Sequence, residues 1–271
     1  MSNAPIGVFD SGVGGLTVLE ALTARLPREN FIYLGDTARL PYGTKSPETV
    51  ARYSLQAAQA LAKYGVKFLV IACNTASSVG LPAISQHIEN VPVIGVIEPG
   101  AQAACAASRS GNIAVIATER TVRGGAYQHA ILRIRPDAHV KAEPAPLFVA
   151  LAEEGLNEGP IANGIANHYL KPMFDTGTGA PDTLVLGCTH FPMLTGAIRD
   201  AVGSKVQIVD SAETTAASVD AQLRRAGLAS TQDSGGTVRL LATDGRERFA
   251  RVGSRFLKRP ISPDEVELVD L

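Results

Sequence analysis

Two stretches of the chain place a cysteine and then hydroxyl, amide or imidazole side chains directly after an apolar run. The first is Leu69-Val70-Ile71-Ala72-Cys73-Asn74-Thr75-Ala76 and the second is Thr183-Leu184-Val185-Leu186-Gly187-Cys188-Thr189-His190. A thiol whose pKa is drawn toward neutrality serves as a base when ionised and as an acid when protonated. Two of them suit one reaction in particular, the removal of a proton from a carbon beside a carboxylate and its replacement on the other face. One thiol must start ionised and the other protonated, and Asn74, Thr75 and Thr189 would donate to the substrate's carboxylates.

Other uses of two thiols compete with this one. Free cysteine is among the most buried residue types, so both could be plain core residues; Cys105, within Ala103-Ala104-Cys105-Ala106-Ala107, fits that description well. A metal site could draw on Cys73, Cys188 and His190, but no C-x-x-C pair is present and His87, His129, His139 and His168 fall at no ligand spacing. A redox pair would ordinarily show the same close spacing. No metal and no cofactor is expected.

The elements that must position these groups follow from the pattern. Each apolar run is short and rich in β-branched residues, as a buried parallel strand is. The polar cluster then sits at the strand's carboxyl end, where open α/β sheets place their ligands. Residues 5–10 read as a first strand ending in Asp10 and Ser11. Gly12-Val13-Gly14-Gly15 turns into a helix with Leu16, Leu19, Leu22 and Leu26 at helical spacing, and lacks the third glycine of a dinucleotide fingerprint. Residues 31–36 are a second strand. Pro41-Tyr42-Gly43-Thr44 is a turn, and Ser46-Pro47 opens a helix that closes at Gly65. Leu81-Pro82 should break the helix after Cys73. Residues 91–97 form a further strand, and Glu98-Pro99-Gly100 marks a crossing point.

The pattern then restarts. Residues 112–118 repeat the first strand, helices follow to Pro136 and over 160–174, and the loop Thr176-Gly177-Thr178-Gly179-Ala180-Pro181 leads into the strand ending at Cys188. A strand over 206–210, a helix over 211–227 and a strand over 237–241 complete the chain. Strand–helix alternation of this kind predicts an α/β protein with two similar parallel-sheet domains related by pseudo-two-fold symmetry, the site lying in the cleft between them. The first domain is read as residues 1–97 plus 208–271, carrying Cys73, and the second as 98–207, carrying Cys188.

Composition narrows the function classes. The chain has 271 residues, 45% apolar and 19% charged, with a net charge of −1 and no tryptophan. Such a balance gives no footprint for nucleic acid or an anionic membrane, and no stacking platform for single strands. No secretory signal and no apolar run of membrane-spanning length is present. Three cysteines, an odd count, fit a reducing cytoplasm.

Taken together, Asp10-Ser11-Gly12-Val13-Gly14-Gly15-Leu16, Gly35-Asp36 with Pro41-Tyr42-Gly43, Ala72-Cys73-Asn74-Thr75-Ala76 and Gly187-Cys188-Thr189-His190-Phe191-Pro192 resemble the glutamate racemase family over nearly the whole chain. Residues 117–127 also resemble a family segment, with Gly124 where serine is expected. The resemblance implies a cofactor-independent interconversion of L- and D-glutamate that supplies peptidoglycan precursors in a bacterial cytoplasm. It implies Cys73 as the base acting on D-glutamate and Cys188 on L-glutamate, with Asp10, His190 and Glu153 assisting. Asp10, Ser11, Tyr42, Gly43, Asn74, Thr75, Thr189 and His190 are the implied substrate contacts. Aspartate racemases, relatives with the same two-thiol plan, typically carry glutamate where this chain has His190, which favours glutamate.

On the residues alone, Asp10 and Ser11 could cap a helix, Tyr42 could pack in a turn and Glu153 could face solvent. An idle two-domain amino-acid-binding protein is the reading from another class, but a sensor needs neither thiol. The N-terminal extension that some family members link to activation by a peptidoglycan precursor is not expected, because the chain starts just before its first strand. The oligomeric state is left open, a homodimer among the arrangements allowed.

Overall fold

The computed structural model describes residues 3–175, 177 and 179–271. Thr176 and Thr178, in the loop read ahead of the second thiol strand, lie outside the described residues. Two parallel sheets organise the rest. The first holds β1 (Ile6–Asp10), β2 (Phe31–Gly35), β3 (Phe68–Ile71) and β4 (Val93–Gly95). The second holds β5 (Asn112–Ala117), β6 (His139–Pro144), β7 (Thr183–Gly187) and β8 (Gln207–Asp210). The tail adds β9 (Val238–Ala242) and β10 (Val266–Leu268) to the first sheet.

The strand orders are β10-β9-β2-β1-β3-β4 and β6-β5-β7-β8. Without the two tail strands, the first order has the same topology as the second: β1 corresponds to β5, β2 to β6, β3 to β7 and β4 to β8. β1, β2, β3 and β7 are buried along their whole length, because helices cover both faces; that is why they read as unbroken apolar runs. Those helices are α1 (Leu16–Arg25), α2 (Pro47–Ala62), α3 (Asn74–Val79), α4 (Leu81–His87) and α5 (Ile97–Ala107) on the first pass. The second pass supplies α6 (Glu119–Arg123), α7 (Ala126–Ile134), α8 (Leu147–Glu154), α9 (Gly159–Phe174) and α10 (Thr195–Val202). α11 (Ser211–Ala226) and α12 (Arg246–Phe256) come from the tail. One hydrophobic cluster runs through both halves, joining Ile6 and Val8 of β1 to Leu184 and Leu186 of β7.

Local sequence explains the boundaries. Ser46 caps α2 by accepting from the Thr49 amide, with Pro47 at the first helical position. Gly65, with φ of 69°, closes the turn after α2 rather than capping it; Lys63 holds the cap position. The expected break at Leu81-Pro82 separates α3 from α4.

Four expectations need correction. Residues 208–210, placed in the first domain, belong to β8 and pair with β7, Thr183 opposite Gln207, so that strand sits in the second sheet. α11 then packs against both α1 and α5, bridging the halves. The strand read over 91–97 is only Val93–Gly95. Glu98-Pro99-Gly100 lies in the first turn of α5, where proline is tolerated because those amides lack intrahelical partners. Cys105 is only partly buried.

Candidate active site

Parallel register brings the two strand ends into line. Phe9 pairs with Ile71, so Asp10 and Ser11 run alongside Ala72 and Cys73. Ala117 pairs with Gly187, so Thr118 runs alongside Cys188. Both ends open into one cavity of about 380 Å³, and all the site residues singled out from the sequence line it except Asp10, which is buried.

Glycines allow the halves to close on each other. A Cβ on Gly14 would fall on His190 and Thr189, and one on Gly15 would come within 2.5 Å of the Asp10 Cβ. Thr17 of α1 completes that contact by donating to the Thr189 carbonyl at 3.0 Å.

Around Cys73 the surroundings are acidic. Its sulfur is 3.5 Å from the Ser11 hydroxyl and accepts from the Ala76 amide at 3.4 Å, at the start of α3. Burial first, and the Asp10 carboxyl second, push the Cys73 thiol up to about 12, against the Ser11 and Ala76 hydrogen bonds. Asp10 accepts from the Gly12 amide at 2.8 Å. Burial raises its pKa, while His190 and the amides of Gly15, Gly12 and Ser11 oppose the rise. Behind it, Tyr33 donates to the Gly12 carbonyl at 2.9 Å and fixes the turn.

Around Cys188 the neighbour is a histidine held by a carboxylate. The Cys188 sulfur lies 3.7 Å from His190 Nδ1, and His190 Nε2 lies 3.1 Å from Glu153 Oε1. Burial works against a charged imidazole, yet the contacts to Cys188 and Glu153 outweigh it and raise the His190 pKa. Burial likewise works against the Glu153 carboxylate, and the bonds from His190 and Arg248 bring its pKa down. An imidazolium beside a sulfur attracts negative charge to it by Coulomb's law.

The binding groups are mixed. Asn74 Oδ1 accepts from the buried Tyr127 hydroxyl at 2.8 Å, while Asn74 Nδ2 has no hydrogen-bond partner among the described residues. Thr75 Oγ1 lies 2.9 Å from Thr118 Oγ1, which lies 3.0 Å from Thr121 Oγ1, a hydroxyl cluster spanning both halves. Tyr42 lines the cavity with its hydroxyl committed to Asp36, which also takes Arg39 Nε at 2.7 Å and Thr243 at 3.0 Å. A Cβ on Gly43 would sit 3.1 Å from Thr118, so the turn lies close against the opposite half. Among the described residues no group of three or more His, Cys, Asp and Glu side chains is placed to hold a metal ion.

Sequence reasoning missed Thr118, Tyr127 and Arg248 as parts of the site. Thr118 carries a signal, since it ends β5 as Ser11 follows β1. Tyr127 carries one only as the last residue of the family-like segment 117–127, and Arg248 carries none, because each reaches the site from a helix of the half opposite to its partner.

A family model described as Asp/Glu/Hydantoin racemase matches residues 7–219. The chain is 50% identical to a glutamate racemase of Geobacter metallireducens, over 93% of this chain and 92% of that protein. Among solved structures it resembles the Thermus thermophilus glutamate racemase in complex with β-chloro-D-alanine, with a TM-score of 0.88 and 43% identity over 100% of this chain and 98% of that one. It also resembles the Francisella tularensis glutamate racemase in complex with D-glutamate, with a TM-score of 0.91 and 34% identity over the same shares.

Proposed function

The chain belongs to the glutamate racemases of the Asp/Glu/Hydantoin racemase family, amino-acid isomerases, and we propose that it interconverts L- and D-glutamate by proton transfer between two thiols. The observation that carries this is one cavity receiving a thiol from each of two matching strand ends. Starting from L-glutamate, the Cys188 thiolate takes the α-proton and becomes a thiol. The Cys73 thiol delivers its proton to the opposite face of the α-carbon and becomes a thiolate. Starting from D-glutamate, the roles exchange.

Between the transfers the α-carbon's charge spreads into its carboxylate, and donors aimed there lower the barrier. The unpartnered Asn74 Nδ2, the hydroxyls of Ser11, Thr75 and Thr189, and the backbone around Tyr42 and Gly43 are the groups assigned to the substrate's carboxylates. Burial first, with Asp10 second, raises the Cys73 pKa, and His190 with Glu153 places a cation beside Cys188. No step draws on a metal or an organic cofactor.

Glutamate is the preferred substrate over aspartate, because a site that fixes a distal carboxylate leaves donors unpaired when the chain is one methylene short. The product supplies D-glutamate for peptidoglycan, and so for cell-wall biogenesis and cell shape, with the cytoplasm as the compartment. Among the described residues no helix is long and apolar enough to cross a membrane. Purified protein incubated with L-glutamate and a chelator should lose optical rotation to zero, and should do so far more slowly with aspartate. Rotation that persists, or that decays only when metal is restored, would refute the proposal.

A further inference from the structure

α12 belongs to the half that carries Cys73, following β9 of the first sheet, yet its side chains reach the thiol machinery of the other half. Arg248 Nη2 donates to Glu153 Oε2 at 2.7 Å, and Arg255 Nη1 donates to the Glu153 carbonyl at 2.8 Å. The Phe256 ring stands edge-on to His190, with centroids 5.3 Å apart. Arg248 and Arg255 are roughly two helical turns apart and so leave α12 on one face. Gly155, whose φ of 75° ends α8, makes room beneath them, since a Cβ there would meet Arg255 Nη1 at 2.9 Å.

One oxygen of the Glu153 carboxylate is therefore held by Arg248 while the other faces His190 Nε2 at 3.1 Å. The second ring nitrogen of His190 faces the Cys188 sulfur. A carboxylate anchored at one oxygen and at its own backbone has its remaining oxygen aimed, which a half-buried glutamate otherwise lacks.

We propose that Arg248 is a positioning residue for racemisation, a helix of one half holding Glu153 against His190, the side chain that faces the thiol of the other half. This rests on the two-thiol reading above. The charged or titratable groups facing His190 are Cys188, Glu153 and Asp10, and those facing the Glu153 carboxylate are His190 and Arg248. Without the guanidinium the Glu153 carboxylate is no longer held against His190, so the imidazolium beside Cys188 loses a contact that raises its pKa. The acidic limb of turnover efficiency then moves to higher pH, and Cys188 alkylates more slowly at a given pH.

The test compares wild type, Arg248→Met and Arg248→Lys as full-length, substrate-free protein treated with iodoacetamide, with each cysteine's labelling rate followed by peptide mass spectrometry across pH. In Arg248→Met, Cys188 labelling and turnover efficiency should each fall roughly three- to tenfold, the scale of a charge-assisted bond to a half-exposed arginine. Cys73 labelling should hold, the acidic limb should move up, and Arg248→Lys should recover most of the loss. Unchanged Cys188 labelling and an unmoved limb would overturn the proposal. So would faster labelling of both thiols with a lowered melting midpoint, which is general loosening. The two-thiol reading fails on a different result, wild-type activity that survives Cys188→Ala, and the labelling contrast does not depend on it.

Discussion

The two halves share a strand order and a thiol at the equivalent strand end, and they differ in what surrounds that thiol. Cys73 sits beside the buried Asp10 and is held as a thiol, up to about 12. Cys188 sits 3.7 Å from His190, whose raised pKa keeps a cation there. A repeated scaffold thus delivers two similar nucleophilic atoms in opposite electrostatic settings. Two-base racemisation needs that difference, since one thiol must be empty of its proton when the other holds one. The enantiomers have equal free energy, so any variant must change turnover efficiency equally from either side. The asymmetry between the halves therefore lies in the charges around the two sulfurs and not in the direction of catalysis.

The largest effect should come from removing either thiol. Cys73→Ala and Cys188→Ala should each lower turnover by about 10²–10⁴-fold or more, the range for losing a general acid or base. Cys105→Ala, at a partly buried sulfur outside the cavity, should leave turnover within about twofold, as surface-type substitutions do. Substantial two-way activity in Cys188→Ala, followed by chiral chromatography, would break the comparison by showing that one thiol suffices.

Next comes the charge beside Cys73. Asp10→Asn removes the carboxylate that helps to raise the Cys73 pKa, so Cys73 should ionise, and alkylate, at lower pH than in wild type. Turnover should drop roughly 10- to 100-fold, within the range for a residue assisting general acid–base steps. An unmoved labelling profile for Cys73 would show that burial alone sets its state.

A smaller effect is expected at Tyr127, whose ring fills the space left by Gly100 and Gly187 and whose hydroxyl fixes Asn74. Tyr127→Phe should raise KM about three- to tenfold with kcat changed less, the cost of one unanchored hydrogen-bonding group. Steady-state kinetics showing a fall in kcat alone would place the hydroxyl's effect on chemistry instead of on binding.

The smallest lies at the opposite end of the second sheet. Asp182 accepts from the Ser108 hydroxyl at 2.6 Å, the Ser110 amide at 2.7 Å and the Arg109 amide at 2.9 Å, and these bonds outweigh partial burial to hold its pKa at about 2. A lowered folded pKa stabilises above the unfolded value and is lost as pH falls through the folded one. Asp182→Asn should cost about 1 kcal/mol at neutral pH, with less loss in acid, and leave turnover unchanged. A change in turnover would mean that the two ends of the strand are coupled.

Much of this was legible along the chain. Cys73 and Cys188 declared themselves because buried parallel strands are short and apolar and end where ligands bind, and the restart at Asn112 is visible in the same alternation. Asp10, Ser11, Asn74, Thr75, Thr189 and His190 came with their strand ends, being near in sequence to what they serve. Sheet membership was not legible for β8, since a strand's own residues do not name its neighbour; only the Thr183–Gln207 pairing does. Arg248 was invisible, and Tyr127 a mere member of the segment 117–127, for a related reason: an arginine on an exposed helix face and a tyrosine in an amphipathic one look ordinary until the fold sets Glu153 and Asn74 opposite them. Tyr42 shows the converse. Its position in the cavity follows from the turn, but the commitment of its hydroxyl to Asp36 depends on a carboxylate at the end of another strand.

The most direct test of two thiols on opposite faces is the fate of the α-hydrogen in deuterium oxide. Starting from L-glutamate, the D-glutamate formed early should carry deuterium at its α-carbon, because its hydrogen comes from Cys73. The remaining L-glutamate should stay largely protiated, because the departing proton rests on Cys188 until product leaves. Early and extensive deuteration of the remaining L-glutamate, read by proton NMR after chiral separation, would contradict the assignment of Cys73 and Cys188 to opposite faces.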